Sequence, residues 1–158
     1  MNTLIIYMSH HGTTRKIVRQ LQEKLGKEET MIAELEQEQL PDLNSFSTIL
    51  IGGSIHMGQI QPAIKRFCSE NMTLLLEKRI GLFLCFMNKE QGQREFENAF
   101  PAELRNHAVA NGLFGGELLL DQMNFIEKLV VKKISHVHEN VTEINEEAVE
   151  SFWQALCD

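Results

Sequence analysis

The sequence has few cysteines, and none of them form a C-x-x-C pair. Cys68, Cys85 and Cys157 are odd in number and widely spaced, which argues against a disulfide framework or a cysteine zinc site and fits a reducing compartment. Long hydrophobic runs are absent too. The longest apolar stretch, Ile80 to Met87, falls far short of the ~20 residues a membrane helix needs. Met1-Asn2-Thr3 lacks the basic start of a signal peptide. The expected location is therefore cytoplasmic, where the sequons at Asn71-Met72-Thr73 and Asn140-Val141-Thr142 carry no sugar.

An excess of positive charge is also missing. Fifteen Lys and Arg stand against 22 Asp and Glu, for a net charge of -7. That balance argues against broad binding to nucleic-acid phosphates. Arg15, Lys16, Arg19, Lys24 and Lys27 do cluster, but such runs are usually solvated faces. No G-x-G-x-x-G follows the first apolar run, so the dinucleotide fingerprint is absent. Gly53 and Gly58 have the glycine spacing of a P-loop, yet Gln59-Ile60 follow where Lys and Ser or Thr are required. Repeats, low-complexity tracts and linkers are lacking, and residues 1–158 read as one domain.

What is present is alternation. Apolar, strand-like runs occur at Thr3–Met8, Thr30–Leu35, Thr48–Gly52, Ile80–Met87 and Ala108–Phe114. Helix-like stretches lie at Thr13–Leu25, Pro62–Leu76, Gln91–Phe100, Gln122–Ile134 and Glu146–Leu156. Near-continuous apolar strands alternating with helices imply an α/β fold, with a parallel sheet covered on both faces. Ligands in such folds sit beyond the carboxyl ends of the strands.

Three loops occupy those positions. Ser9-His10-His11-Gly12-Thr13-Thr14 follows the first strand and opens a helix. A helix start leaves N–H groups unpaired and carries positive dipole character, which suits a phosphate. Gly12 permits close approach or positive φ, and Ser9, Thr13 and Thr14 add hydroxyls. The same loop also fits an ordinary capped helix with Ser9 or Thr13 as cap. The second loop is Gly53-Ser54-Ile55-His56-Met57-Gly58, and the third begins Phe86-Met87-Asn88.

Ser9-x-x-Gly12-x-Thr14 resembles the phosphate loop of flavodoxins, and the order of elements matches theirs over nearly the whole chain. Ile51-Gly52-Gly53-Ser54-Ile55-His56-Met57-Gly58 resembles the flavin-ring loop after their third strand. The resemblance implies a doubly wound, parallel five-stranded sheet in order 2-1-3-4-5 with helices on both faces. It implies FMN as cofactor and a redox role. The cofactor-binding residues would be Ser9, His10, His11, Gly12, Thr13, Thr14, Ser54, Ile55, His56, Met57, Gly58, Phe86, Met87 and Asn88. The Met57-Gly58 peptide would turn its carbonyl toward the reduced ring, and Asn88 would reach the pyrimidine edge or serve as a turn residue. More narrowly, Gly53–Gly58, Gly115-Gly116-Glu117-Leu118 and Phe125–Ser135 look like the bacterial quinone-linked protoporphyrinogen oxidases of this superfamily. That likeness implies a quinone or a redox partner protein, and a porphyrinogen substrate.

The chain departs from the family in two respects. His11 stands where flavodoxins usually carry Ser or Thr, and the ring loops offer Ile55, His56, Met57 and Phe86 in place of Trp or Tyr. Three functions remain in view: an oxidase-like dehydrogenase, a small electron carrier serving a partner reductase, and a flavin-free interaction module. Two further segments are read as structural. His136-Val137-His138-Glu139 has a metal-like spacing but no partner cluster, so it is taken as surface. The stripe Ile126, Leu129, Val130 and Ile134, bordered by Lys128, Lys132 and Lys133, is taken as the sheet-facing side of a helix. Its functional alternative is peripheral contact with a membrane surface. Cys85, inside an apolar strand, reads as inert core.

Overall fold

The computed structural model describes residues 2–118, 124–135 and 141–158. The chain runs β1 (Thr3–Tyr7), α1 (Thr13–Leu25), β2 (Thr30–Glu34), β3 (Thr48–His56), β4 (Gln59–Ile60), α2 (Pro62–Glu70) and α3 (Met72–Leu75). It continues through β5 (Arg79–Cys85), α4 (Gly92–Ala99), α5 (Ala102–His107), β6 (Ala110–Leu118), α6 (Phe125–Ser135), β7 (Val141–Ile144) and α7 (Glu146–Cys157).

β1 is buried along its whole length, which an apolar strand achieves only when both sheet faces are covered. Its side chains alternate between two cores, as the strand period of two requires. Leu4 and Ile6 pack with Ile49, Ile51 and Leu82 against Ile64 and Phe67 of α2 and Phe96 of α4. Ile5 and Tyr7 pack with Leu50 and Phe83 against Ile17, Val18 and Leu21 of α1 and Val149, Phe152 and Leu156 of α7. Phe83, Phe114 and Phe152 form an aromatic cluster in this second core, with centroids 5.2–6.0 Å apart.

The seven-stranded sheet has order β2-β1-β3-β5-β6-β7, with β4 paired to β3. Pairing is parallel from β2 through β6, so the five expected strands stand in the expected order. Two antiparallel strands extend that expectation. β4 folds back on β3, and β7 pairs with the far end of β6. Both are too short to show a period in the sequence.

Other boundaries differ from the sequence reading. The expected helix Pro62–Leu76 breaks at Asn71, whose side chain donates to the Phe67 carbonyl at 2.9 Å and whose backbone leaves helical geometry. β3 extends to His56, so this residue lies on a strand rather than in a loop. β6 runs on to Leu118 and carries Glu117 past the expected strand end. α5 was not expected: the sequence reading assigned no element between Phe100 and Ala108. Gln122 and the His136–Glu139 segment lie outside the described residues, as does Asn140 of the second sequon. No helix among the described residues is long and apolar enough to cross a membrane.

Candidate functional site

The chain reverses its strand order between β1 and β3, and a pocket of about 410 Å³ opens beyond their carboxyl ends. Eleven of the fourteen expected residues line it: Ser9, His10, His11, Thr13, Thr14, Ser54, Ile55, His56, Met57, Phe86 and Met87. Gly12, Gly58 and Asn88 do not. Gly12 lies on the outer side of its loop, in a depression shared with Arg15, Lys16 and Arg19. Asn88 is exposed, and its side-chain oxygen accepts the Glu90 N–H at 3.1 Å, the turn role open to it from sequence.

Gly12 takes φ 93°, a left-handed conformation that other residues rarely adopt, and no side chain caps α1 there. Ser9 Oγ accepts the Gly12 N–H at 2.9 Å, so the serine closes the loop instead of capping the helix. The first helical bond runs from Lys16 N–H to the Gly12 carbonyl at 3.0 Å. The N–H groups of Thr13, Thr14 and Arg15 precede it and have no intrahelical acceptor. Thr14 Oγ1 is buried beside the Cys85 thiol, without a well-formed hydrogen bond among the described residues.

The hairpin after β3 is held rigidly. Gln61 accepts the Ser54 N–H at 3.1 Å and donates to Ser54 Oγ at 2.8 Å. Met57 (φ 53°) and Gly58 (φ 76°) both adopt left-handed backbone between the paired His56 and Gln59. Two such residues match the two-residue turn that suits the strand twist. Met57 is 73% exposed and contributes to the pocket lining. Phe86 is anchored by its N–H to the Gly115 carbonyl at 2.8 Å.

Several lining residues were not foreseen: Cys85, Gly116, Glu117 and, from α6, Ile126, Glu127, Val130 and Val131. Burial pushes the Cys85 thiol up to about 12, which fits the inert role expected of it. The α6 stripe departs from expectation. Ile126 and Leu129 are exposed, and Val130 and Val131 face the pocket, so the stripe does not pack on the sheet as a unit. The side chain of Ile134 is outside the described residues.

Two carboxylates reach the first loop. Glu117 meets Lys16 Nζ at 2.8 Å and accepts a long hydrogen bond from Thr13 Oγ1 at 3.4 Å. Glu127 places Oε2 2.7 Å from His11 Nε2 and 3.7 Å from His10 Nε2. His10 in turn packs on His11 and His56, with ring centroids 4.3 and 4.1 Å away. The basic run on α1 is largely neutralised: Arg15 pairs with Glu34, Lys16 with Glu117, and Lys24 with Glu150. Trp153, the one tryptophan, lies under Lys24 on α7 rather than in the pocket lining.

The sequence pattern of the flavodoxin domain matches residues 4–145. The chain belongs to that family. Similar solved structures include a flavodoxin from the domain Archaea, with 15% identity over 73% of this chain and 85% of that one, at a TM-score of 0.54. The flavodiiron protein of Giardia intestinalis aligns with 97% of this chain and 34% of its own, at 13% identity and a TM-score of 0.53. The rubredoxin oxygen:oxidoreductase of Desulfovibrio gigas aligns with 100% of this chain and 38% of its own, at 14% identity and a TM-score of 0.50. This flavodoxin domain thus spans little more than a third of those two proteins. Identities this low show the fold alone. No curated protein matches the sequence.

Proposed function

We propose that the pocket binds FMN and that the protein transfers electrons through it. The observation that carries this reading is the start of α1. It has no side-chain cap, its first three backbone N–H groups have no acceptor within the helix, and a buried Thr14 hydroxyl lacks a well-formed bond among the described residues. A phosphate satisfies such a set, because the dipole and the N–H groups both favour an anion. The family membership supports the same cofactor. FMN supplies one- or two-electron transfer when bound, and the protein supplies binding, orientation and exclusion of water.

The remaining residues fit this division. Gly12 supplies the left-handed backbone that shapes the loop, while Thr13 and Thr14 donate hydroxyls to the phosphate. Ile55, Met57, Phe86 and Met87 supply apolar and thioether surface to a planar ring, in place of a stacking Trp or Tyr. Glu127 places its carboxylate 2.7 Å from His11, and phosphate binding displaces it. Electrons would pass between the bound flavin and a redox partner protein or a quinone.

The protoporphyrinogen oxidase-like reading stays as a second proposal because α6, part of the segment that suggested it, closes one wall of the pocket. Turnover of protoporphyrinogen with a quinone acceptor supports it. A protein that holds FMN but leaves the porphyrinogen unoxidised is a carrier instead. The main reading is tested by equilibrium dialysis against FMN, wild type beside Thr14→Glu. Retention by wild type and loss in the variant support the site, and equal retention contradicts it.

A further inference from the structure

We propose that His10, His11, His56 and Glu127 form a binding site for one divalent transition-metal ion of the zinc class. One ring nitrogen from each histidine lies within 4.8 Å of the others. The residues come from three separate elements: the loop after β1, the end of β3 and the first turn of α6. Imidazoles this close repel one another when protonated, and when neutral they bring nitrogen lone pairs into one small volume. A cation there resolves both situations.

Glu127 supplies a fourth donor. Its Oε2 lies 2.7 Å from His11 Nε2 and 3.7 Å from His10 Nε2. Those separations bracket the edge of about 3.3 Å expected for a tetrahedron with bonds of 2.0–2.1 Å. His11 Nε2 and Glu127 Oε2 are both buried, and neither makes an aligned hydrogen bond among the described residues despite their proximity. At 2.7 Å a proton or a metal ion must lie between these two atoms, because otherwise their lone pairs oppose each other. The scaffold is firm on one side, because the Gln61 bonds and the Met57-Gly58 turn fix His56.

The donor set decides the metal class. Three imidazoles and one carboxylate suit zinc, copper, nickel or cobalt, whereas calcium and magnesium prefer oxygen ligands. His10 and His56 are exposed, so the ion would reach solvent and could exchange a ligand for water. The inference does not depend on flavin, although both ligands would share the first loop.

The test is a Co²⁺ titration of the flavin-free, chelator-treated chain, followed by visible absorption. One equivalent with the intense ligand-field bands of a tetrahedral site, displaced by Zn²⁺, is the expected result. His11→Gln and His56→Gln should abolish the bands with an unchanged far-ultraviolet circular dichroism spectrum. Glu127→Gln should weaken binding about tenfold or more, as loss of a carboxylate partner does. The double variant His136→Ala/His138→Ala should titrate like wild type. Weak octahedral bands in wild type overturn the site. So does a wild-type titration in His11→Gln, or loss of binding confined to the His136/His138 variant.

Discussion

Glu127 Oε2 on α6 lies 2.7 Å from His11 Nε2 in the loop where a phosphate is proposed to bind. The pair ties a helix that walls the pocket to the loop that forms its floor. The carboxylate therefore competes with any anion for the same imidazole.

Glu127→Gln removes this competitor. FMN affinity should rise about two- to fivefold, consistent with the ~0.5–1 kcal/mol of a partly exposed charge pair. Quenching of flavin fluorescence during titration measures it. Unchanged or weaker affinity would show that the carboxylate leaves the phosphate untouched. Because the same substitution should weaken metal binding, opposite signs for the two ligands separate the two proposals.

Gly58→Val places a β-branched residue at φ 76° in the β3–β4 turn. A left-handed backbone costs such residues about 1–2 kcal/mol. The urea midpoint should fall accordingly with little change in slope. No shift would mean that the turn adopts a different backbone in solution.

Glu95 is 8% exposed, and its Oε2 has no hydrogen-bond partner among the described residues. Burial holds its carboxyl above the ordinary range. The folded state thus favours the protonated acid, and charging it costs stability as pH rises through the raised value. Glu95→Gln should raise the melting temperature at pH 7, and the advantage should disappear below about pH 4, where the unfolded carboxyl is also protonated. An equal effect at both pH values would point to packing instead of charge.

Cys68 and Cys85 are buried, with thiols pushed up to about 12 by desolvation, while Cys157 is exposed. A thiol reagent at pH 8 should modify one cysteine rapidly in the folded protein and the other two only on denaturation. Fast reaction of a second thiol would show that the fold around Cys68 or Cys85 opens to solvent.

The strands were legible because Leu4, Ile5 and Ile6, like Ile49, Leu50 and Ile51, are apolar on both faces, a pattern that a covered parallel sheet imposes. The first loop was legible because Gly12 and the neighbouring hydroxyls announce a helix start. Glu117 and Glu127 were not legible as pocket residues. Glu117 reaches the loop through four residues of β6 beyond Phe114, and Glu127 arrives on a helix whose position depends on tertiary packing. The histidine cluster was split between two loops that the parallel pairing of β1 with β3 brings together. Sequence spacing carries no trace of that approach, and the one metal-like spacing it does show, His136-Val137-His138, was read as surface.

The central claim is that the Ser9–Thr14 loop holds the phosphate of a flavin. The most direct measurement is the visible spectrum of the purified protein after FMN is added and the excess removed, for wild type and Thr14→Glu side by side. The account predicts one retained flavin per chain with perturbed bands in wild type and a flat spectrum in the variant. A flat spectrum for wild type, or equal bands in both, would contradict it.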